Sequence, residues 1–278
     1  TADTAGNASA GPTNNTFGID TASPAVAITY NQSGDTTSPF KAGAVVITAT
    51  YSETPISAPT VSINQQGTTD ITNDAMTNAG GGVYTYSYMI NAATGGTYID
   101  GTATVSLSAT TDAAGNASAA PTNNTFAIDT AVPTVAITYD QSGDTTSPFK
   151  AGSVTVTATY SENPATAPTI SINQQGTTDI TNAVMGGAGS VFTYSYTIVA
   201  ATGGTYIDGT ATVSLSATAD AAGNASAAPT NNTFVTDTAV PTVAITYDQS
   251  GDTTSPFKSG AVTVTATYSE NPATAPTI

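Results

Sequence analysis

The tetrapeptide Ala113-Ala114-Gly115-Asn116 returns as Ala221-Ala222-Gly223-Asn224, and a variant, Thr4-Ala5-Gly6-Asn7, precedes both. Their asparagines stand 109 and 108 residues apart, and Ser-Pro-Phe at 38–40, 147–149 and 255–257 keeps the same spacing. A period of this length exceeds the roughly 20–50 residues of a solenoid turn and matches one independently folding domain. The chain therefore reads as tandem copies of a domain. Residues 1–19 are the C-terminal strand of one repeat, 20–128 and 129–236 are two complete repeats, and 237–278 open a further one.

Each repeat is predicted to be all-β. In 153–160, Val154, Val156, Ala158 and Tyr160 alternate with Thr155, Thr157 and Thr159; 134–139 and 211–218 alternate likewise. Period-2 alternation with threonine on the wet face marks half-buried strands. Further strands are expected at 169–174, 177–184, 191–199 and 230–235. Between them stand turn clusters such as Asp140-Gln-Ser-Gly143, Asn163-Pro164, Gly203-Gly204 and Ala222-Gly223-Asn224. No stretch has a helical period. Seven short strands in about 108 residues predict tandem immunoglobulin-like seven-stranded β-sandwich domains. The links Asp129-Thr-Ala-Val-Pro133 and Asp237-Thr-Ala-Val-Pro241 are short, and proline restrains them, so they read as stiff.

The chain carries 19 acidic residues against 3 lysines, a net charge of −16, with no Cys, His or Trp. Nothing here neutralises phosphates, so nucleic-acid binding is excluded as a reading. An anionic membrane surface would repel the chain, and no apolar run is long enough to insert. Charged residues are only 8% of the total, unlike a disordered acidic tail. Missing His and Cys, a Ser-Lys motif or a phosphate loop, the sequence gives no support to catalysis, and near-copies of a domain would duplicate any active site. The scarcity of Lys and Arg suits a protease-exposed setting, so an extracellular or cell-surface location is expected. The first residue falls inside a repeat, so any targeting segment is expected outside these 278 residues.

The acids are not spread evenly. In a seven-strand sandwich the linker before the first strand, the second turn and the last turn share one end. In the second repeat those places hold Asp129, Glu162, and Asp220 with Asn224; in the first they hold Asp20, Glu53, and Asp112 with Asn116; in the last, Asp237 and Glu270. The opposite end carries Asp35 and Asp100 in the first repeat, expected to face the next one, and their counterparts Asp144 and Asp208 in the second. Gathered carboxylates repel one another unless a cation sits among them. With only oxygen donors available, the cation read from the residues is Ca²⁺, which accepts six to eight oxygens in loose geometry.

The run Ile207-Asp208-Gly209-Thr-Ala-Thr-Val213, Ala217-Thr-Ala-Asp220-Ala-Ala-Gly223-Asn224 and Asp237-Thr-Ala-Val-Pro241 resembles the bacterial Ig-like repeats of large surface adhesins. Phe149-Lys150-Ala-Gly152 leading into Tyr160-Ser-Glu162 is similar to a related subgroup, and together these cover nearly the whole chain. The resemblance implies an extended stalk stiffened by calcium at its junctions. Carried over residue by residue, it implies Asp112, Asn116, Asp129, Asp220, Asn224 and Asp237 as ligands. The longer first loop and the segment Gln174-Gln-Gly-Thr-Thr-Asp179 depart from that pattern.

Other readings stand beside this one. Asn116 and Asn224 also suit simple turn closure, Asp70 and Asp179 read as solvated turn acids, and Asp140 with Asp144 offers a second loop site. Lys150 with Asn231 or Asn232 makes an isopeptide bond conceivable. Phe192, Tyr194, Tyr196 and Ile198 form a stripe read as core, with sugar binding second. Sequons occur at Asn7, Asn14, Asn31, Asn116, Asn123, Asn224 and Asn231. The partners expected are a longer chain, self-association in a filament (strands exchanged between chains included), or surface glycans.

Overall fold

In the computed structural model, which describes residues 1–67, 69–202 and 204–277, the first complete repeat starts with β1 (Val26–Asn31) and β2 (Gly43–Tyr51). Val45, Ile47, Ala49 and Tyr51 of β2 are buried, while the residues between them face outward. The side chains of residues 69, 70 and 177–179 are not described, so the readings of Asp70 and Asp179 lie outside the described residues. Contacts divide the chain into two compact units. One comprises Thr1–Pro133 with Ala219–Ser226, the other Thr134–Thr218 with Ala227–Ile278.

Six further strands complete the first repeat: β3 (Thr60–Asn64), β4 (Thr69–Ala75), β5 (Thr77–Gly80), β6 (Val83–Ile90), β7 (Gly101–Leu107) and β8 (Thr125–Ile128). They form two antiparallel sheets in the orders β1-β2-β6-β5 and β4-β3-β7-β8. The inward residues of both sheets make one core, so the sheets pack face to face as a sandwich. Phe126 lies at its centre, with ring centroids 4.9 Å from Tyr30, 6.0 Å from Phe40 and 6.4 Å from Tyr88.

The second repeat reproduces this with β9 (Val135–Asp140), β10 (Gly152–Tyr160), β11 (Thr169–Gln174), β12 (Thr177–Val184), β13 (Gly186–Ala188), β14 (Val191–Ile198), β15 (Gly209–Leu215) and β16 (Thr233–Thr236). Its sheets run β13-β14-β10-β9 and β12-β11-β15-β16, and Phe234 takes the place of Phe126, 5.0 Å from Tyr139. Phe192, Tyr196 and Ile198 are buried and Tyr194 packs against the core, so the aromatic stripe is interior.

The strand expected at 177–184 is β12, and the chain beyond it changes sheet. It passes Met185, which is buried, and continues as β13 in the opposite sheet; Met76 does the same between β4 and β5. One continuous run thus supplies an edge to both sheets, and eight strands build the sandwich. The other side is closed by parallel bridges, Ala27 to Thr122 and Phe40 to Ile128. Ile28 N donates to Thr122 O (3.1 Å), Thr122 N to Val26 O (3.0 Å), Phe40 N to Ala127 O (2.9 Å), and Asp129 N to Phe40 O (3.0 Å). Sheet edges that would otherwise template foreign strands are thereby occupied.

Asn123 fastens this seam. In the left-handed region (φ 57°), it donates its amide to Ile28 O (2.8 Å), while Tyr30 Oη donates to Asn123 O (2.8 Å). Asn231 repeats the arrangement on Ile137 O (2.8 Å). These amides serve the fold.

Close approach demands glycine at Gly176 and at Gly187. Gly176 has φ +109°, and a Cβ there would stand 2.7 Å from Thr205 O. Gly176→Ala is expected to cost about 1–3 kcal/mol in denaturant unfolding of the second unit. Gly143→Ala, at φ +93° but with nothing within 4 Å of a Cβ, is expected to cost less, about 1 kcal/mol for the left-handed backbone alone. Equal costs would contradict the packing at Gly176.

In 237–278, β17 (Val243–Asp248) and β18 (Thr263–Tyr268) pair in the register of β9 and β10. Val243, Ile245 and Tyr247 are exposed there, as are Phe17 and Ile19 in the opening tail, whereas their counterparts in the complete repeats are buried. Among the described residues no helix is long and apolar enough to cross a membrane.

Candidate metal centre

The turn at 112–116 organises itself. Asp112 Oδ1 accepts from Ala114 N (2.8 Å) and Asn116 N (2.9 Å), and Oδ2 accepts from Asn116 Nδ2 (2.8 Å). Gly115 supplies the positive φ that closes the turn. Asp220 and Asn224 reproduce the bonds at 2.9 and 2.8 Å. Asp3 and Asn7 do so too, although both are exposed. The repeated Ala-Gly-Asn signature is therefore a local structure, formed whether or not it is buried.

Its asparagine also reaches the linker. Asn116 Nδ2 donates to Asp20 O (3.1 Å), and Asn224 Nδ2 to Asp129 O (2.8 Å). The linker aspartate is further shaped by its own Asx turn: Asp20 Oδ1 accepts from Ala22 N (3.0 Å), Asp129 from Ala131 N (3.2 Å), and Asp237 from Ala239 N (3.2 Å). Glu53 follows β2 directly. These three elements, far apart in sequence, bring one carboxylate oxygen each from Asp20, Glu53 and Asp112 within 4.8 Å of one another, and Asp112 is only 3% exposed. The repeat's single lysine, Lys41, lies in the β1–β2 loop rather than in the linker, second turn or last turn that supply these acids.

The electrostatics follow from this crowding. Burial, and then the charges of Asp20 and Asp112, push the Glu53 carboxyl above its ordinary range. Asp112 is held below its own, chiefly by the Asn116 amide. Asp129 is pushed up by burial, partly offset by the Ala131 N–H, with the charges of Asp220 and Asp100 adding to the rise. A buried, hydrogen-bonded carboxylate beside a carboxyl that resists ionisation suits a hard cation with oxygen ligands.

The pH dependence has two signs. Glu53 holds its proton more tightly folded than unfolded, so without metal it contributes a penalty that sets in as pH rises from the ordinary carboxylate range to its raised value. Asp112 contributes stability above the ordinary range that is lost as pH falls through its lowered one. Protons compete with a cation for Glu53, so calcium is expected to bind more weakly at about pH 5 than at about pH 7. Equal affinities in calorimetric titrations at the two pH values would remove Glu53 from the ligand set.

Several expected ligands are engaged elsewhere. Asp35 Oδ1 accepts from Thr37 N and Oγ1, both 2.9 Å, and Asp144 from Thr146 N and Oγ1, both 3.0 Å. Asp100 accepts from Thr130 N (3.0 Å) and Oγ1 (2.8 Å), while both oxygens of Asp208 lie within 3.1 Å of Thr238 Oγ1. These four acids close loops and hold linker threonines. Asp129 and Asp220 share one unit, Glu162 belongs to the other, and Glu162 and Glu270 follow their strands as Glu53 follows β2. Sequence reasoning missed the buried pair Gln65 with Tyr88, joined at 3.0 Å, and its copy Gln174 with Tyr196 at 3.1 Å. A glutamine ending an alternating strand was the available signal.

No family model matches the chain, and no curated protein does. Among solved structures it is similar to a crystal structure of a tetra-tandem repeat in the extending region of a large adhesion protein. That match has 16% identity and a TM-score of 0.33, and covers 88% of this chain and 63% of that one.

Proposed function

We propose that the chain is a structural segment of an extracellular stalk or filament, whose tandem Ig-like repeats are stiffened by Ca²⁺ at their junctions for surface adhesion or matrix building. The observation that carries this reading is the meeting of Asp20, Glu53 and Asp112 within 4.8 Å. One member comes from the linker and two from the turns beside it, so a shared cation fixes the linker to the body of its repeat. Asp129, Asp220 and Asn224, and then Asp237 and Glu270, would take the corresponding parts at the following junctions. Bound there, calcium supplies charge neutralisation and a rigid cross-link; carboxylates that otherwise repel leave the linker free to swing. Small-angle scattering in chelator and in millimolar calcium tests this. A longer maximum dimension in calcium is expected, and superimposable profiles would reject the stiffening role.

A second reading, glycan binding by individual repeats, draws on a groove of about 220 Å³ in the second repeat, lined by the half-buried Tyr194 and Tyr206. Tyrosine faces stack on sugars, and a glycan array with the intact chain separates recognition from scaffolding.

A further inference from the structure

The grouping of the chain by contacts departs from the sequence repeats at one place. The turn from Asp220 to Asn224 belongs in sequence to the second repeat, yet Ala219–Ser226 lies in the unit of the first. What it meets there is the first repeat's only cation. Lys41 Nζ donates to Gly223 O at 3.1 Å, and the lysine stem runs beside Gly223, where a Cβ would stand 3.9 Å from its Cδ.

The loop that carries Lys41 is built to present it. Gln32, which is buried, donates Nε2 to Lys41 O (3.0 Å) and exchanges backbone bonds with Asp35 at 2.7 and 3.0 Å. A buried amide spends its hydrogen bonds inside the protein, and here one of them holds the lysine backbone. Gln141 and Gln249, also buried, hold Lys150 O (2.9 Å) and Lys258 O (3.0 Å) the same way, and accept from the backbone N–H of those lysines, both at 3.2 Å. Each repeat thus sets one lysine on a braced loop, although the chain has only three in all.

From this we infer that the braced lysine is a latch for the Asp-x-x-Gly-Asn turn of the repeat that follows, holding successive repeats together without metal. Chemistry selects the partner. The turn offers a backbone carbonyl close in sequence to the Asp220 carboxylate, and a protonated lysine makes its strongest hydrogen bonds to such acceptors. Gly223 leaves room for the stem, and its φ of +85° already requires glycine in the turn. Loop and turn wall an open gap of about 440 Å³ lined by Gln32, Asp35, Asp220 and Gly223, so a long side chain spans it where packing does not. The latch does not rest on the calcium reading. A cation would tie the linker to its own repeat, whereas Lys41 ties the turn to the repeat before it.

Double electron–electron resonance on the intact chain tests the inference. The sequence has no cysteine, so spin labels go only where Thr29→Cys and Thr138→Cys place them, at exposed, equivalent positions of β1 and β9. In chelator, a narrow distance component from latched junctions is expected. Lys41→Met keeps the stem and removes the charge. It is expected to lower the ratio of narrow to broad component by about two- to fivefold, the worth of one exposed charged contact. Lys41→Arg is expected to restore most of the ratio. Lys150→Met, the same loss of charge in the second repeat's loop, is expected to leave it unchanged. A ratio that Lys41→Met does not lower overturns the proposal. So does an equal loss in Lys150→Met, which would trace the effect to net charge. Repeating the series in calcium keeps the two readings apart. Narrowing by calcium with no effect of Lys41→Met in chelator upholds the metal and rejects the latch; the reverse upholds the latch and rejects stiffening by calcium.

Discussion

Calcium at about 10 mM is expected to raise the melting temperature of the metal-free chain by about 10–20 °C. The size follows from mass action: an extracellular-type site with a dissociation constant near 10⁻⁴ M, held at a hundredfold excess of calcium, stabilises its folded domain by about 2.7 kcal/mol. For a domain of about 100 residues each kcal/mol moves the midpoint by about 4–8 °C. Glu53→Gln provides the sharper test, because its effect is expected to change sign. Without metal the substitution relieves repulsion from Asp20 and Asp112 and removes a carboxyl that resists ionisation, so the apo repeat melts slightly higher than wild type. With calcium it removes one of three charged ligands, so most of the calcium-induced rise of that repeat is lost. Scanning calorimetry in both conditions reads this directly. A variant that keeps the full calcium shift would show that the three-acid cluster is not the site.

Phe126→Ala is expected to destabilise the first repeat by about 3–5 kcal/mol, the usual cost of emptying a large aromatic site in a close-packed core. The ring, on β8 of one sheet, lies among Tyr30 and Tyr88 of the facing sheet and Phe40 of the loop between β1 and β2. Its loss takes a partner from each of them, and the residual cavity cannot collapse without moving the parallel seam. The corresponding fall in melting temperature is about 12–30 °C or more. Phe234 holds the same place in the second repeat, so the variant is expected to split the unfolding trace, one transition displaced and the other nearly unmoved. Phe234→Ala should displace the other. A single transition shifted by less than about 1 kcal/mol would mean that the ring is not a core anchor.

The two substitutions probe features of unequal legibility in the sequence. The strands of the sandwich could be read because threonine alternates with Val, Ile and Tyr, a pattern fixed by the pleat and independent of distant partners. Asp112 and Asp220 could be read because Asp-x-x-Gly-Asn closes on itself, as the exposed copy at Asp3 shows. The sheet change at Met76 and Met185 could not, since one buried methionine between Ala75 and Thr77, or between Val184 and Gly186, leaves no mark in the pattern. Nor could the use of Asp100, whose partner Thr130 lies thirty residues away in the linker. Asp35 and Asp144 looked like ligands because an acid in a Gly-containing loop suits a metal as well as a turn. The bonds from Thr37 and Thr146, two residues on, show the turn role.

The parallel seam between β1 and the segment from Thr122 to Asp129 determines how a repeat answers a pull on its two ends. Tension enters ahead of Val26 and leaves after Ile128, so the bridged segments are drawn past each other along their length. Their hydrogen bonds at Ile28, Thr122, Phe40 and Asp129 then carry the load together instead of opening one after another like a zip. The weakest direction of the sandwich, peeling a hairpin from its edge, is the one that an axial force does not exploit. A tether of such repeats would hold its folded length under drag until several bonds fail at once.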